Sequence, residues 1–255
     1  MPGYAFATAA GPPFDRTVEQ TMIAIVDYAK GNLQSVQKGL EAAGARDARI
    51  VTAPDDIAAA DAVVLPGVGA FADASRSMIE SGQMDAVRNA IQEGKPFLGI
   101  CLGLHLLFEA GTEHAVEGEA LPEGLGIIPG VCERIPKTNA AGDAFKVPQM
   151  GWNSIEFVVL PNNEMGTESS TTCESSPARP SSPLLDGIRE GEFFYFTHSY
   201  IAPDNPYTQA TTTHSSTFPC FVDVGGTCFG IQFHPEKSSD AGIHVLRNFV
   251  KVVEG

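Results

Sequence analysis

The stretch FLGICLGLHLL, Phe97–Leu107, runs a strand-like apolar segment into a helix-like one, with a cysteine at the join and a glycine two residues to either side. Glycine costs about 0.5–1 kcal/mol inside regular structure, so two of them flanking one thiol need a local reason. A sharp strand-to-helix turn supplies it. Where the chain reverses, a Cβ at either flank would collide with neighbouring backbone. The pattern Gly99-Ile100-Cys101-Leu102-Gly103 is the G-x-S-x-G elbow with Cys in place of Ser. Such a turn exposes its central side chain at the carboxyl end of a strand, where open α/β sheets bind ligands. The free N–H groups and dipole of the following helix favour a thiolate there. The same five residues also suit a small buried side chain with two packing glycines. The choice rests on whether the chain supplies a base.

Working outward, Ile23–Asp27 reads as a buried strand and Asn32–Ala43 as a helix stopped by Gly44. Ala62–Gly67 is a second strand ending at a Pro-Gly break, and Asp73–Glu93 a long helix interrupted near Ser81-Gly82. Pro96–Ile100 is a third strand, followed by a third helix over Leu102–Ala110. Strands alternating with helices predict an α/β fold, a mostly parallel sheet with helices on both faces. Beyond Gly111 short β-rich runs occur at Gly130–Ile135, Ile155–Leu160, Glu192–Phe196, Tyr207–Thr213, Cys220–Val224 and Thr227–Phe233. These predict antiparallel strands added to the sheet. Asp240–Val253 closes the pattern as an amphipathic helix with Ile243, Leu246, Phe249 and Val250 on one face. One domain over 22–255 accounts for these segments. Residues 1–21 are expected to be a disordered extension, and the Ser/Thr/Pro-rich stretch 162–183 a disordered insertion.

Composition narrows the function classes. A hydrophobic share of 43% in 255 residues suits a full core. The net charge of −15, spread along the chain, argues against nucleic-acid binding, which relies on clustered Lys and Arg. No apolar run approaches the ~20 residues of a membrane helix, and residues 1–21 lack the features of a signal or transit peptide. Five cysteines without a CxxC pair fit free thiols in a reducing, cytoplasmic setting.

A base is available. His234 stands in GIQFHPEKS at the end of a predicted strand, with Glu236 two residues on. In extended chain both side chains leave on one side, so the carboxylate can fix the imidazole tautomer and stabilise the imidazolium. The same pair would also fit a solvated turn. The segment PGVGAF, Pro66–Phe71, follows the second strand, and its glycines free backbone N–H groups to converge on a developing oxyanion, or form a plain turn. No two histidines stand at metal-ligand spacing, and no metal or cofactor is expected.

Taken together, IVDYAKGNLQSV, LPGVGAF, GICLGLHLLFE, GLGIIPG, KVPQMGWN, FYFTHSY and GIQFHPEKS resemble, in order, the class I triad-type glutamine amidotransferases. Among these the segments are most similar to the glutaminase subunits of imidazole glycerol phosphate synthase. The resemblance implies a flavodoxin-like sheet and hydrolysis of L-glutamine by Cys101, with His234 as base and Glu236 orienting it. It implies an oxyanion hole from Gly67, Val68, Gly69 and Leu102, and glutamine contacts from His105, Thr197, His198, Ser199 and Tyr200. It further implies a heterodimer with a separate (β/α)8-barrel cyclase, reached near Trp152, Asn153 and Lys237. In histidine biosynthesis that partner uses the ammonia to make imidazole glycerol phosphate and an aminoimidazole carboxamide ribonucleotide. The sequence departs from the family pattern at His105, where Gln is usual, at Gln149, where His is usual, and at Ala29-Lys30 in place of Gly-Met. Two other functions remain compatible with the fold: a stand-alone γ-glutamyl hydrolase, and a regulatory subunit impaired at His105.

Overall fold

The structure is a computed structural model that describes residues 21–29, 31–158 and 182–255. The first half alternates strand and helix: β1 (Met22–Val26), α1 (Leu33–Ala43), β2 (Asp47–Val51), α2 (Pro54–Ala59), β3 (Ala62–Gly67), α3 (Phe71–Glu80), α4 (Gln83–Gln92), β4 (Phe97–Cys101) and α5 (Leu102–Leu106). The second half is mostly strands: β5 (Phe108–Gly111), β6 (Ile128–Arg134), β7 (Gln149–Ser154), β8 (Glu156–Phe157), β9 (Phe193–His198), β10 (Tyr200–Ile201), β11 (Thr208–Thr213), β12 (Thr217–Val224) and β13 (Cys228–Ile231). The helix α6 (Ser239–Glu254) follows a short 3-10 turn at Pro235–Lys237.

Among the described residues the main sheet has eight strands in the order β2-β1-β3-β4-β13-β12-β11-β8. Strand side chains alternate between its faces. Ile23 and Ile25 pack with Val36 and Leu40 of α1 and with Val245, Leu246 and Phe249 of α6. Ala24 and Val26 pack on the other side with Ile57 of α2, Met78 of α3 and Val87 of α4. Two apolar layers thus clamp the sheet, as the alternating pattern predicts for an α/β fold.

Several boundaries differ from the sequence reading, each for a physical reason. The unforeseen β2 is short and half polar, but its parallel pairing with β1 places it at the sheet edge. The interruption expected near Ser81-Gly82 separates α3 from α4, where Gly82 adopts a left-handed φ of 76°. The helix expected to reach Ala110 stops at Leu106. There the amide of Leu125 bonds to the Leu106 carbonyl at 2.6 Å, and those of Ile127 and Ile128 bond to the Leu107 carbonyl at 2.9 and 3.0 Å. The distant GLGIIPG segment therefore takes the carbonyls a longer helix would use, and the chain turns into β5. Not every late strand is antiparallel: β13 runs parallel to β4, while β12, β11 and β8 continue antiparallel. Other late strands leave the main sheet altogether. β5, β6 and β10 form a small sheet, and β7 pairs with β9 as a two-stranded ribbon.

Residues 1–20 of the expected extension, Lys30, and residues 159–181, which include 162–181 of the expected insertion, lie outside the described residues. The last two positions of that insertion belong to the fold instead. Ser182 is buried, and Pro183 opens a 3-10 turn, Pro183–Leu185, that buries Leu184 and Leu185.

Packing at the elbow gives its glycines their reason. A Cβ on Gly99 would lie 2.5 Å from the Gly103 carbonyl oxygen, and one on Gly103 would collide with the carbonyl of Leu65 on β3. Helix α5 can therefore sit against the sheet only with bare backbone at both positions. Gly103→Ala is expected to lower stability by about 1–3 kcal/mol or more, as overpacking does when backbone must move. Urea denaturation of the variant beside wild type checks this.

Candidate active site

Parallel pairing carries the register of the sheet to the site. β3 sets Gly67 opposite Cys101, and β13 sets Ile231 opposite Ile100. The next residue along β13, Gln232, consequently comes beside Cys101, and His234 follows. At the elbow Cys101 holds φ 54° and ψ −103°, a left-handed φ that a non-glycine residue avoids unless its surroundings enforce it. The short α5 carries a smaller dipole than a nine-residue helix would, so side-chain neighbours bear more of the sulfur's electrostatics.

Those neighbours are few and buried. The thiol of Cys101 lies 3.9 Å from the Thr197 carbonyl, and the side-chain amide of Gln232 donates to the sulfur at 3.7 Å. The Nδ1–H of His234 donates to Glu236 Oε1 at 2.9 Å, with the two side chains only 3% and 1% exposed. Nε2 of His234 is buried without a well-aligned partner. Burial alone would pull the His234 pKa down. Interaction with Cys101 and then with Glu236 outweighs that effect and raises it to about 10. The His234 ring, which keeps its proton near pH 7, is thus held between Glu236 and Cys101. The other described thiols, Cys132, Cys220 and Cys228, are buried and their pKa values are pushed up by desolvation, so they stay protonated and inert.

The site opens into a cavity of about 420 Å³. Cys101 and Leu102 stand at its base, Val68 and Gly69 on one side, and Thr197, His198, Ser199 and Tyr200 on another. Gly69 has φ 105°, which re-aims the backbone of this turn, and Leu102 as first residue of α5 has no intrahelical acceptor for its N–H. Gly67 does not line the cavity; it packs under the turn against Tyr28 and Leu102. Also at the wall, Glu113 accepts a hydrogen bond from the Phe71 amide at 3.2 Å and so braces the glycine-rich turn.

His105 lines the same cavity, and its Nε2 lies 2.7 Å from Gln232 Oε1. Burial lowers its pKa to about 4, against a smaller opposing effect of the Gln232 hydrogen bond, so the ring is neutral near pH 7. His198 bonds through Nδ1 to the Tyr200 carbonyl at 2.9 Å, and burial, aided by His105, lowers its pKa to about 3. The residues named for a partner surface stand apart from the cavity. Trp152 and Asn153 border a separate depression of about 220 Å³, and Lys237 is exposed in the Pro235–Lys237 turn.

Sequence reasoning passed over two buried neighbours of the sulfur, Gln232 and Tyr28. Gln232 lies inside the quoted GIQFHPEKS motif, and the period-2 strand pattern that delivers His234 could have flagged it. Tyr28 has no such signal. Its phenol is buried with the hydroxyl unpartnered, and burial followed by the Cys101 charge raises its pKa. Among the described residues no group of three or more His, Cys, Asp or Glu is arranged to hold a metal ion.

A doubly covered parallel sheet with a strained cysteine elbow beside a buried imidazole–carboxylate pair defines an amidotransferase of the thiol, triad-type class. The family described as Glutamine amidotransferase class-I matches residues 24–253. More particularly, the chain is 40% identical over 235 residues to the imidazole glycerol phosphate synthase subunit HisH of Shouchella clausii (strain KSM-K16), covering 92% of this chain and 100% of that protein. It is also 40% identical over 240 residues to the HisH subunit of Natronomonas pharaonis, covering 92% of this chain and 95% of that one. The chain belongs to this HisH family of class-I glutamine amidotransferases. A solved structure described as a glutamine amidotransferase shares the fold with a TM-score of 0.61 at 19% identity, over 91% of this chain and 99% of that one.

The two neutral histidines predict a pH dependence of stability. Their folded pKa values lie below the unfolded value, so the stability carried by the neutral rings is complete above pH ~6.5 and is lost as pH falls towards ~4. For His105 the loss amounts to about 3 kcal/mol. Urea midpoints measured from pH 7.5 to 4 should fall less steeply in His105→Gln than in wild type.

Proposed function

We propose that this chain is the glutaminase subunit of an imidazole glycerol phosphate synthase, releasing ammonia from L-glutamine for a separate cyclase subunit in histidine biosynthesis. The observation that carries the chemistry is the buried His234–Glu236 pair set beside the thiol of a strained Cys101. In this reading the Cys101 thiolate attacks the side-chain carboxamide carbon of glutamine and a C–S bond forms. The N–H groups of Val68 and Gly69 in the glycine-rich turn, and of Leu102, stabilise the resulting oxyanion, while Gly67 supports the turn from beneath. His234 gives its proton to the nitrogen as the C–N bond breaks, and ammonia leaves a γ-glutamyl thioester. His234 then takes a proton from water, whose oxygen attacks the thioester carbon. The C–S bond breaks, glutamate departs, and the thiolate–imidazolium pair is restored with Glu236 still orienting the ring.

Glutamine would enter the 420 Å³ cavity, with its α-amino and carboxylate ends held along Thr197, His198, Ser199 and Tyr200 and its amide near His105. The cyclase partner, a (β/α)8 barrel in a heterodimer, would dock on the β7–β9 ribbon. There Met150 is 67%, Trp152 51% and Phe193 55% exposed, an apolar surface of the kind that marks interaction sites. The same ribbon ends in Thr197 and His198 at the cavity, and the register pairs Trp152 with Tyr195 and Gln149 with His198. Docking at its exposed end would therefore reach the glutamine pocket along a ribbon of six residue pairs. No described helix is long and apolar enough to cross a membrane, and a cytoplasmic setting fits the free thiols.

Glutamine hydrolysis is expected to be slow for the chain alone and to rise sharply with a cyclase and its nucleotide ligand. Cys101→Ala should abolish glutamine-dependent turnover while the complex keeps turnover with free ammonia. Full activity without a cyclase would instead mark a stand-alone hydrolase. Trp152→Ala should weaken association with the cyclase at least about tenfold, the loss of one well-packed aromatic anchor, as read by titration calorimetry.

A further inference from the structure

Gln232 is fully buried immediately after β13, and its backbone amide bonds to the Cys220 carbonyl at 2.9 Å. Its side chain touches two groups of the site at once: Oε1 lies 2.7 Å from His105 Nε2, and Nε2 lies 3.7 Å from the Cys101 sulfur. The three side chains form a chain of hydrogen bonds with a definite polarity. A thiolate can only accept, so Gln232 must turn its NH2 group to the sulfur. Its oxygen then faces His105, which must carry its proton on Nε2. A neutral imidazole does this with one tautomer, and the glutamine usual at position 105 in the family would do it with its own NH2.

Resting on the glutaminase reading of Cys101, we infer that Gln232 is a positioning residue that holds the nucleophilic sulfur as thiolate, and that His105 acts through it by fixing the direction of its amide. His105 thereby takes over a donor function that a glutamine could perform, which accounts for a histidine at this position without loss of the site. Without the His105 contact the buried amide could rotate and present its oxygen to the sulfur, an acceptor facing an anion. Removing the amide would leave the thiolate with one donor fewer.

The other titratable groups acting on the sulfur are Tyr28, from the end of β1, and His234 with Glu236 behind it. His198 on β9 lies within electrostatic reach of both His105 and His234. All of these stay constant in a comparison of Gln232 variants. The experiment is the rate of Cys101 alkylation by iodoacetamide against pH, followed by peptide mass spectrometry on the full chain without glutamine. In Gln232→Met, which keeps volume but loses the donor, the midpoint of the curve should rise by about one pH unit, the scale of one weakened hydrogen bond to a charge. Gln232→Glu, which keeps the shape but places a carboxylate there, should raise it further. His105→Phe should shift it in the same direction, and Gln232→Met combined with His105→Phe should shift it no further than Gln232→Met alone.

Circular dichroism and urea midpoints identify folded variants, and if Gln232→Met does not fold, Gln232→Glu carries the test. Curves for folded Gln232 variants that superimpose on wild type overturn the inference while leaving the glutaminase reading intact. That reading fails separately, on wild type that forms no thioester with glutamine in the presence of a cyclase.

Discussion

The parallel pairing of β13 with β4 is the constraint on which the site depends. It joins the elbow strand to a strand more than a hundred residues away in sequence and sets their register at Ile100↔Ile231. A slip of one residue would turn the side chains of β13 to the opposite face, burying His234 in the wrong layer and taking Gln232 from the sulfur. What protects the register is packing on both faces. Phe229 and Ile231 enter one core layer with Phe249 of α6, and Cys228 enters the other. The bare backbones of Gly99 and Gly103 then let α5 close against β3, and the strained φ of Cys101 is held by that whole assembly.

Three buried histidines around one cavity show how differently one side chain can be used. His105 and His198 have only neutral partners, an amide oxygen and a backbone carbonyl, and desolvation keeps both uncharged. His234 is buried to a similar degree but faces Cys101 and Glu236, and it keeps its proton. Partner charge, not exposure, separates the base from its neighbours. Were all three charged, their mutual repulsion in so small a volume would oppose folding.

The elements outside the main sheet tie the cavity to the surface. The segment that caps α5 through Leu125, Ile127 and Ile128 also leads into β6, which pairs with β10 beside the cavity-lining residues Ser199 and Tyr200. The β7–β9 ribbon runs from the cavity to exposed Trp152 and Phe193. A two-stranded ribbon has little intrinsic stability alone. Its backbone is secured here by the Ser238 hydroxyl, which accepts from the Tyr195 amide at 2.9 Å, and by the His234 amide, which donates to the Tyr195 carbonyl at 2.9 Å. The ribbon is consequently anchored to the segment that carries His234, and so links the exposed surface to both the cavity and His234.

Much of this protein is determined by its sequence alone. The alternation of apolar strands with helix-period segments sets an α/β fold, because buried parallel strands need continuous apolar runs and their covering helices need one apolar stripe. The flanking glycines mark Cys101 as an elbow, and His234-Pro235-Glu236 just after a strand marks an imidazole–carboxylate pair, because both patterns are local. Long-range contacts decided the rest. Nothing near Leu106 ends α5; carbonyls claimed by a segment twenty residues on do so. The parallel sense of β13 likewise depends on where it docks, not on its composition. The two-residue reach of Gln232 from His105 to Cys101, and the neutral state of His105 that goes with it, exist only because the sheet register brings three separate segments into one dry volume.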